Sequence, residues 1–446
     1  MLTATLAKFI AEAPSRPLPA PVAQKAALHI LDVFGAMISG SELAAGKKAS
    51  AFVRPLGGTP ESTVVGSGIV TTAINAALAN GMMAHADETD DSHAPSLTHP
   101  GCAVVPAAFA VAEREGRSGR DLLRAVTLGY DVGTRIAAAL GGGLFLDHYK
   151  HSSHAFGGVF GATAAAAALS GLDAGRAGHA LAYAVQLASG IPCWLDGSDR
   201  VEKAFLFGGM PAQGGVQAAT MAAAGFTGST QPLEGNTGLL SAFPDQARPE
   251  RAVADLGSRY EVAYTSIKKW SVGSPIQSAL NSLESLIAEH GFGAGDIAEI
   301  VVELPPRRAE AVDNRPLPDV NLQHQLSLML MDGKVTFASA HDHARMNDPS
   351  IRSLRARIRV VSRPDAKEGG QAFLTVGLTD GRRLEKHTPH VRGTPGNPMT
   401  AEEVLTKARD LILPVLGAGS GEKLIQTLLA IEDLESVARL RPLLQR

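Results

Sequence analysis

Two cysteines, Cys102 and Cys193, in 446 residues are too few for a disulfide framework, and a chain of this length folds without one. A reducing, cytoplasmic setting is the expectation. Aromatic residues make up only 5% of the chain, so close packing has to come from Ala and Gly surfaces, which favours many helices in intimate contact. Neither sign of charge dominates. With 41 Lys+Arg against 44 Asp+Glu the formal net charge is -3, and nothing in that balance points to nucleic acid or an anionic membrane as a partner. Long Leu/Ile/Val runs are missing too: the longest low-charge stretch, 155–172, is built of Ala, Gly, Ser and Thr and reads as a packed soluble helix, not a membrane span. The apolar stretch 1–10 is interrupted by Lys8 and followed by Glu12, so it offers no signal-peptide core.

Motifs are absent as well. There is no Walker A loop, and Gly66-Ser67-Gly68 lacks the third glycine of a dinucleotide fingerprint and any βαβ surroundings, which argues against nucleotide cofactors. No GxSxG elbow and no CxxC pair occurs, so serine hydrolase and zinc-ribbon chemistry start low.

What is present is a chain with 45% hydrophobic and 19% charged residues, enough to bury large cores across two or three domains. Apolar positions recur at three- and four-residue spacing over 21–38, 70–84, 103–115, 119–140, 156–172, 174–188 and 212–224, separated by Gly, Pro or Asp. That predicts an all-α helical domain over 1–260. Beyond it, 297–304, 358–361 and 373–378 are short and β-branched, and Asp380-Gly381 marks a hairpin into a returning strand. Helices at 274–290 and 322–331 lie between these strands, so 261–395 is expected to be a smaller α+β lid domain with an antiparallel sheet. Helical periodicity returns at 401–415 and 422–441, so 396–446 should complete the first domain. The fold class is mainly α, without internal repeats.

Polar residues that could carry chemistry fall into four groups. The densest is His85-Ala86-Asp87-Glu88-Thr89-Asp90-Asp91-Ser92-His93, followed by Thr98-His99-Pro100-Gly101, four carboxylates and three imidazoles between two apolar helices. A solvated, helix-capping loop and a divalent-metal site are the competing readings, the second without an HExxH or EF-hand spacing to support it. The second group, His148-Tyr149-Lys150-His151-Ser152-Ser153-His154, leads into Gly157-Gly158; a helix start with small residues suits an anionic group, and His154 is the best placed of its imidazoles. Asp199-Arg200-Val201-Glu202-Lys203 and the 267–277 segment, with Lys268, Lys269 and Gln277, could present ammonium groups to carboxylates.

Taken in order, Ala79-Asn80-Gly81 through His85, Asp90-Asp91-Ser92, Thr98-His99-Pro100-Gly101, His154 before a Gly/Ala helix, Lys203, Lys268-Lys269, Asn314-Arg315-Pro316 and Asn397-Pro398-Met399 resemble the MmgE/PrpD family over almost the whole chain. The resemblance implies a large helical domain with an α+β lid, a homodimer without metal or other cofactor, and a small di- or tricarboxylate bound between the domains. Family members carry out 2-methylcitrate dehydration, cis-aconitate decarboxylation and iminodisuccinate epimerisation. Carried over, it implies His99, His154, Lys203 and Lys268 as catalytic residues and Asp87 or Glu88, Asp91, Ser92, Tyr149, Lys269 and Gln277 as substrate-binding residues. Two positions depart from the decarboxylase pattern: Gly273 stands where a histidine is expected and Leu330 where a tyrosine is.

The chemistry common to such sites is removal of a proton from carbon beside a carboxylate, with the developing charge held by fixed cations and hydrogen-bond donors. With two family side chains replaced, the leading expectation is an epimerase of an imino- or amino-dicarboxylate. A hydro-lyase acting on a hydroxy di- or tricarboxylate is the alternative, and a non-catalytic carboxylate-binding protein the third.

Overall fold

Glycine lets the helices of the larger unit touch backbone to backbone. A Cβ on Gly133, in helix Gly119–Ala139, would lie 2.4 Å from the Gly157 carbonyl oxygen of helix Ser153–Leu169, and one turn on a Cβ on Gly161 would lie 2.6 Å from the Gly129 oxygen. At that spacing no larger residue fits, and the buried Ala164–Ala168 run continues the same thin contact surface. This is how a core with few aromatics reaches normal density.

The computed structural model describes residues 1–197, 199–366 and 372–446. The chain divides into two units, Met1–Ser266 with Val404–Arg446, and Ile267–Glu403. In the first, helices Ala20–Gly40, Ala73–Ala84, Gly101–Arg114, Gly119–Ala139, Ser153–Leu169, Ala174–Leu187 and Met210–Ala223 follow the expected periodicity. Ala20–Gly40 is long and apolar enough to cross a membrane by length and composition, and 72% of that window is buried within the fold. One expected helix starts late. Residues 70–71 form a short antiparallel strand pair with Ser62–Thr63, and the helix begins only after Thr72, whose side chain accepts the Asn75 amide at 3.3 Å. At the other end, Ala401–Leu429 is two helices meeting at Gly417, whose φ of 76° breaks the helical path.

The smaller unit carries a four-stranded sheet. With β1 (Ser62–Thr63) and β2 (Val70–Thr71) in the first unit, its strands are β3 (Ile297–Leu304), β4 (Ile358–Ser362), β5 (Ala372–Leu378) and β6 (Arg383–Thr388), in the order β4-β3-β5-β6. The pairs β3–β5 and β5–β6 are antiparallel as expected, while β4 adds parallel to β3, so the sheet is mixed. The helix-containing crossover from β3 to β4 makes the parallel pair possible. One face of β5 alternates into a core built with Ile276, Leu280 and Leu283 of helix Ser274–His290 and Leu322, Leu326 and Met329 of helix Leu322–Asp332.

Candidate active site

Helix Ala73–Ala84 ends at His85, and the chain then runs irregularly to Gly101, where the next helix starts. Irregular backbone in a buried position must find its partners among side chains, and here it does. Asp87 turns back on Thr89, accepting its amide at 3.0 Å and its hydroxyl at 2.5 Å. Lys407, from the segment Ala401–Leu429, donates to the Thr89 carbonyl at 2.9 Å and stands 2.7 Å from Asp32 Oδ1. Asp91 accepts from Tyr130 Oη at 2.5 Å, from the Gly101 amide at 3.0 Å, and lies 2.7 Å from His29 Nδ1. These contacts fix the loop from the core side.

Between these anchors Asp90 faces the other way. Its Oδ2 lies 2.9 Å from His85 Nδ1, and its Oδ1 3.5 Å from His99 Nδ1. Burial alone would raise this carboxyl, but the charge and hydrogen bonds of His85 and His99 hold it well below the usual carboxylate range. His85 is pushed down to about 4, chiefly by burial, so near neutral pH a neutral imidazole donates Nδ1–H to an ionised Asp90. Its Nε2 is buried without a hydrogen-bond partner.

His154 completes the cluster from another element. It sits in the first turn of helix Ser153–Leu169, whose start Ser152 caps by accepting the Ala155 amide at 3.4 Å. Its ring centroid is 5.0 Å from that of His99, and burial, reinforced by His99, His85 and Lys203, places its pKa well below the ordinary histidine value. Phe207 forms an aromatic wall: His154 stacks on it at 4.1 Å and His85 at 4.5 Å.

Phe207 is brought there by a wide turn. Residues Phe205–Gly209 form a π-helical segment between Val201–Ala204 and Met210–Ala223. A Cβ on Gly208 would lie 2.0 Å from the Gly81 oxygen, so only glycine allows this segment to meet the helix that carries His85. The buried Cys102 thiol donates to the Phe207 carbonyl at 3.4 Å and lies 3.1 Å from the His99 carbonyl, tying both walls to one helix. One turn before Phe207, Lys203 Nζ lies 5.2 Å from the Phe207 ring and 5.4 Å from Trp194. It donates to Glu88, which also accepts from Arg200 at 2.6 Å. Two cations thus converge on one buried carboxylate.

The structure brings His99, His154, Lys203 and Glu88 together, and adds His85, Asp90, Arg200 and Phe207. Other expected residues are placed differently. Asp87 is engaged in its own turn, and Asp91 faces the helical core. Ser92 pairs by its backbone with Ser266. Tyr149 joins an aromatic group with Phe145 and Phe243, its hydroxyl accepting the Asp245 amide at 3.0 Å. Lys268, Lys269 and Gln277 belong to the second unit: Lys268 is buried, Lys269 pairs with Glu284 at 2.6 Å, and Gln277 holds the Trp270 and Val272 carbonyls at 2.7 and 3.0 Å. Gly273 precedes helix Ser274–His290, and Leu330 is buried in that unit's core. His85 and Asp90 were visible in the sequence as part of a polar cluster. Phe207 carried no signal beyond the glycines that follow it.

Among the described residues, the nitrogens of His85 and His99 and a carboxylate oxygen of Asp90 lie within 4.8 Å of one another, close enough to hold a metal ion.

Residues 4–252 match the MmgE/PrpD N-terminal domain and residues 270–433 the MmgE/PrpD C-terminal domain; the chain belongs to the MmgE/PrpD family. It is 28% identical to a cis-aconitate decarboxylase of Homo sapiens, covering 95% of this chain and 90% of that protein. Cis-aconitate decarboxylases of Mus musculus, 26% identical over 83% of this chain and 78% of the relative, and of Aspergillus terreus, 22% identical over 99% and 96%, are further relatives.

Proposed function

We propose that this protein is a lyase that moves a proton at the carbon beside a carboxylate of a small di- or tricarboxylate. The observation that carries the reading is the meeting of neutral imidazoles with a carboxylate-clamping pair of cations: His85 and His154 against Phe207, and Lys203 with Arg200 on Glu88. A neutral imidazole is ready to accept a proton, and Asp90 both sets the His85 tautomer and stabilises the imidazolium that would form. Lys203 and Arg200 would hold the substrate carboxylate and the charge that develops on it as the proton leaves, acting where solvent is largely excluded. The relatives named as cis-aconitate decarboxylases support lyase chemistry on a tricarboxylate.

A second reading, epimerisation of an imino- or amino-dicarboxylate, is favoured by a specific feature. Lys203 and His154 come from separate elements, Val201–Ala204 and Ser153–Leu169, so one could remove a proton that the other returns to the opposite face. By the resemblance, Gly273 and Leu330 stand where the decarboxylase pattern has a histidine and a tyrosine, which weakens decarboxylation and dehydration alike.

Proton NMR in heavy water, with cis-aconitate, citrate, 2-methylcitrate, iminodisuccinate and aspartate-derived dicarboxylates, separates these readings. A new or lost vinyl signal is expected for the lyase; deuterium at an α-carbon with loss of optical activity and no vinyl change would establish the epimerase instead. Binding without any exchange would mark a carboxylate-binding protein.

A further inference from the structure

Imidazoles and a carboxylate gathered this closely are also a ligand set for a borderline divalent cation such as zinc. A tetrahedral zinc ion holds nitrogen and oxygen donors at about 2.0–2.1 Å, which puts neighbouring donors about 3.3 Å apart. Asp90 Oδ2 lies 2.9 Å from His85 Nδ1 and its other oxygen, Oδ1, 3.5 Å from His99 Nδ1, each near that edge, and one donor atom from each of the three residues lies within 4.8 Å of the other two. From the geometry we propose that His85, Asp90 and His99 form a binding site for a zinc-like divalent cation, with His154 or water in the fourth position, and that the ion competes with the carboxylate substrate.

Several features favour metal over a filled hydrogen-bond network. His154 Nδ1 and His85 Nε2 are buried without hydrogen-bond partners, so the cluster is not internally satisfied. His154 borders the cluster, its ring centroid 5.0 Å from that of His99. Ligation through His85 Nδ1 would displace the proton it shares with Asp90. Lys203 and Arg200 oppose a cation, and Glu88, which accepts from both, neutralises one of their two charges. The ion would occupy the face of the imidazoles that proton transfer needs, so metal and turnover exclude each other. The binding claim stands by itself; only the competition rests on the proposed reaction.

Calorimetric titration of the full chain with zinc chloride, in a Cys193→Ser background that removes the exposed thiol, tests it directly. One ion per chain is expected, with affinity falling at least tenfold in Asp90→Asn and in His99→Ala. Cobalt(II) gives a second readout that needs no variant: visible d–d bands of tetrahedral intensity at one equivalent. No stoichiometric binding, an octahedral cobalt spectrum, or affinity unchanged in both variants would overturn the site. Where exchange activity is found, zinc should raise KM without lowering kcat. A fall in kcat alone at the same zinc occupancy would leave the ion bound but refute the competition.

Discussion

Asp90 and Asp91 are neighbours in sequence, both fully buried, and each holds an imidazole through Nδ1, yet the two pairs differ in everything around them. The His29–Asp91 pair is closed: Tyr130 and the Gly101 amide take up the carboxylate, and helices enclose the ring. The His85–Asp90 pair is open: its second imidazole is His99 at 3.5 Å, and beyond lie His154, Phe207 and the two cations. The same chemical unit therefore holds the loop in one case and supplies the reactive surface in the other. Burial and charge do not separate these roles; what the remaining lone pairs meet does.

That contrast can be broken or sharpened. The largest effect should come from Lys203→Ala, which removes the ammonium from the open side and is expected to lower turnover about 10²–10³-fold while the thermal midpoint stays within a few degrees. Stopped heavy-water exchange assays and calorimetry on the same preparation check both halves; retained activity would mean the open pair is not the site. Lys407→Met acts beneath both pairs, leaving Asp32 and the Thr89 carbonyl buried without their cation, at a cost of about 3–5 kcal/mol measured by denaturant unfolding. Asp91→Ala should cost about 1–3 kcal/mol by orphaning His29, Tyr130 and the Gly101 amide, and should cost stability more than Asp90→Asn does. Equal losses in the two variants would erase the distinction.

The smallest effect is a change in pH dependence. Burial raises Asp131 to about 7, opposed mainly by the Glu261 amide and Arg135, so the folded state binds an extra proton between its ordinary carboxyl range and neutrality. Its contribution to stability is present at low pH and is lost as pH rises through about 7. His85, pushed down to about 4, works in the opposite sense: the unfolded chain takes the proton first, so stability falls as pH drops from about 6.5 to about 4. Asp131→Asn removes the first of these, so its thermal midpoint should gain on the wild type as pH goes from about 5 to about 8. A constant gap across that range would contradict the assignment.

Regular elements were legible because their periodicity is local. Helix Ser274–His290 and strand Ile297–Leu304 have the bounds the pattern predicts, with Gly291 and Pro305 closing them. The start at residue 70 was misplaced because apolar spacing continues through Val70, while the cap at Thr72 and the pairing with Ser62–Thr63 decide otherwise. At the candidate site the sequence showed which residue types gather but not which way they face. Asp87, Asp90 and Asp91 lie on an irregular path without a period, and their directions are set by partners such as Thr89, His99 and Tyr130, the last 39 residues distant from Asp91. Phe207 reads as one more apolar helix position; its place depends on Gly81 and Gly208 meeting across the sequence.

The wide turn at Phe205–Gly209 carries a consequence for how this pocket can change over generations. A π-helical turn holds one residue more than the α-helix around it, and each residue added to or lost from a helix rotates what precedes it by about 100°. Lys203 lies on the far side of that turn from the helix Met210–Ala223 that anchors it. Losing the codon for Phe205 or Leu206 would swing the ammonium away from Phe207 without altering Lys203, Phe207 or the imidazoles, whereas point substitutions at those two positions leave its phase intact. Descendants of this chain can thus reshape the pocket gradually through side chains, but a reading-frame-preserving deletion here would abolish the arrangement in one step.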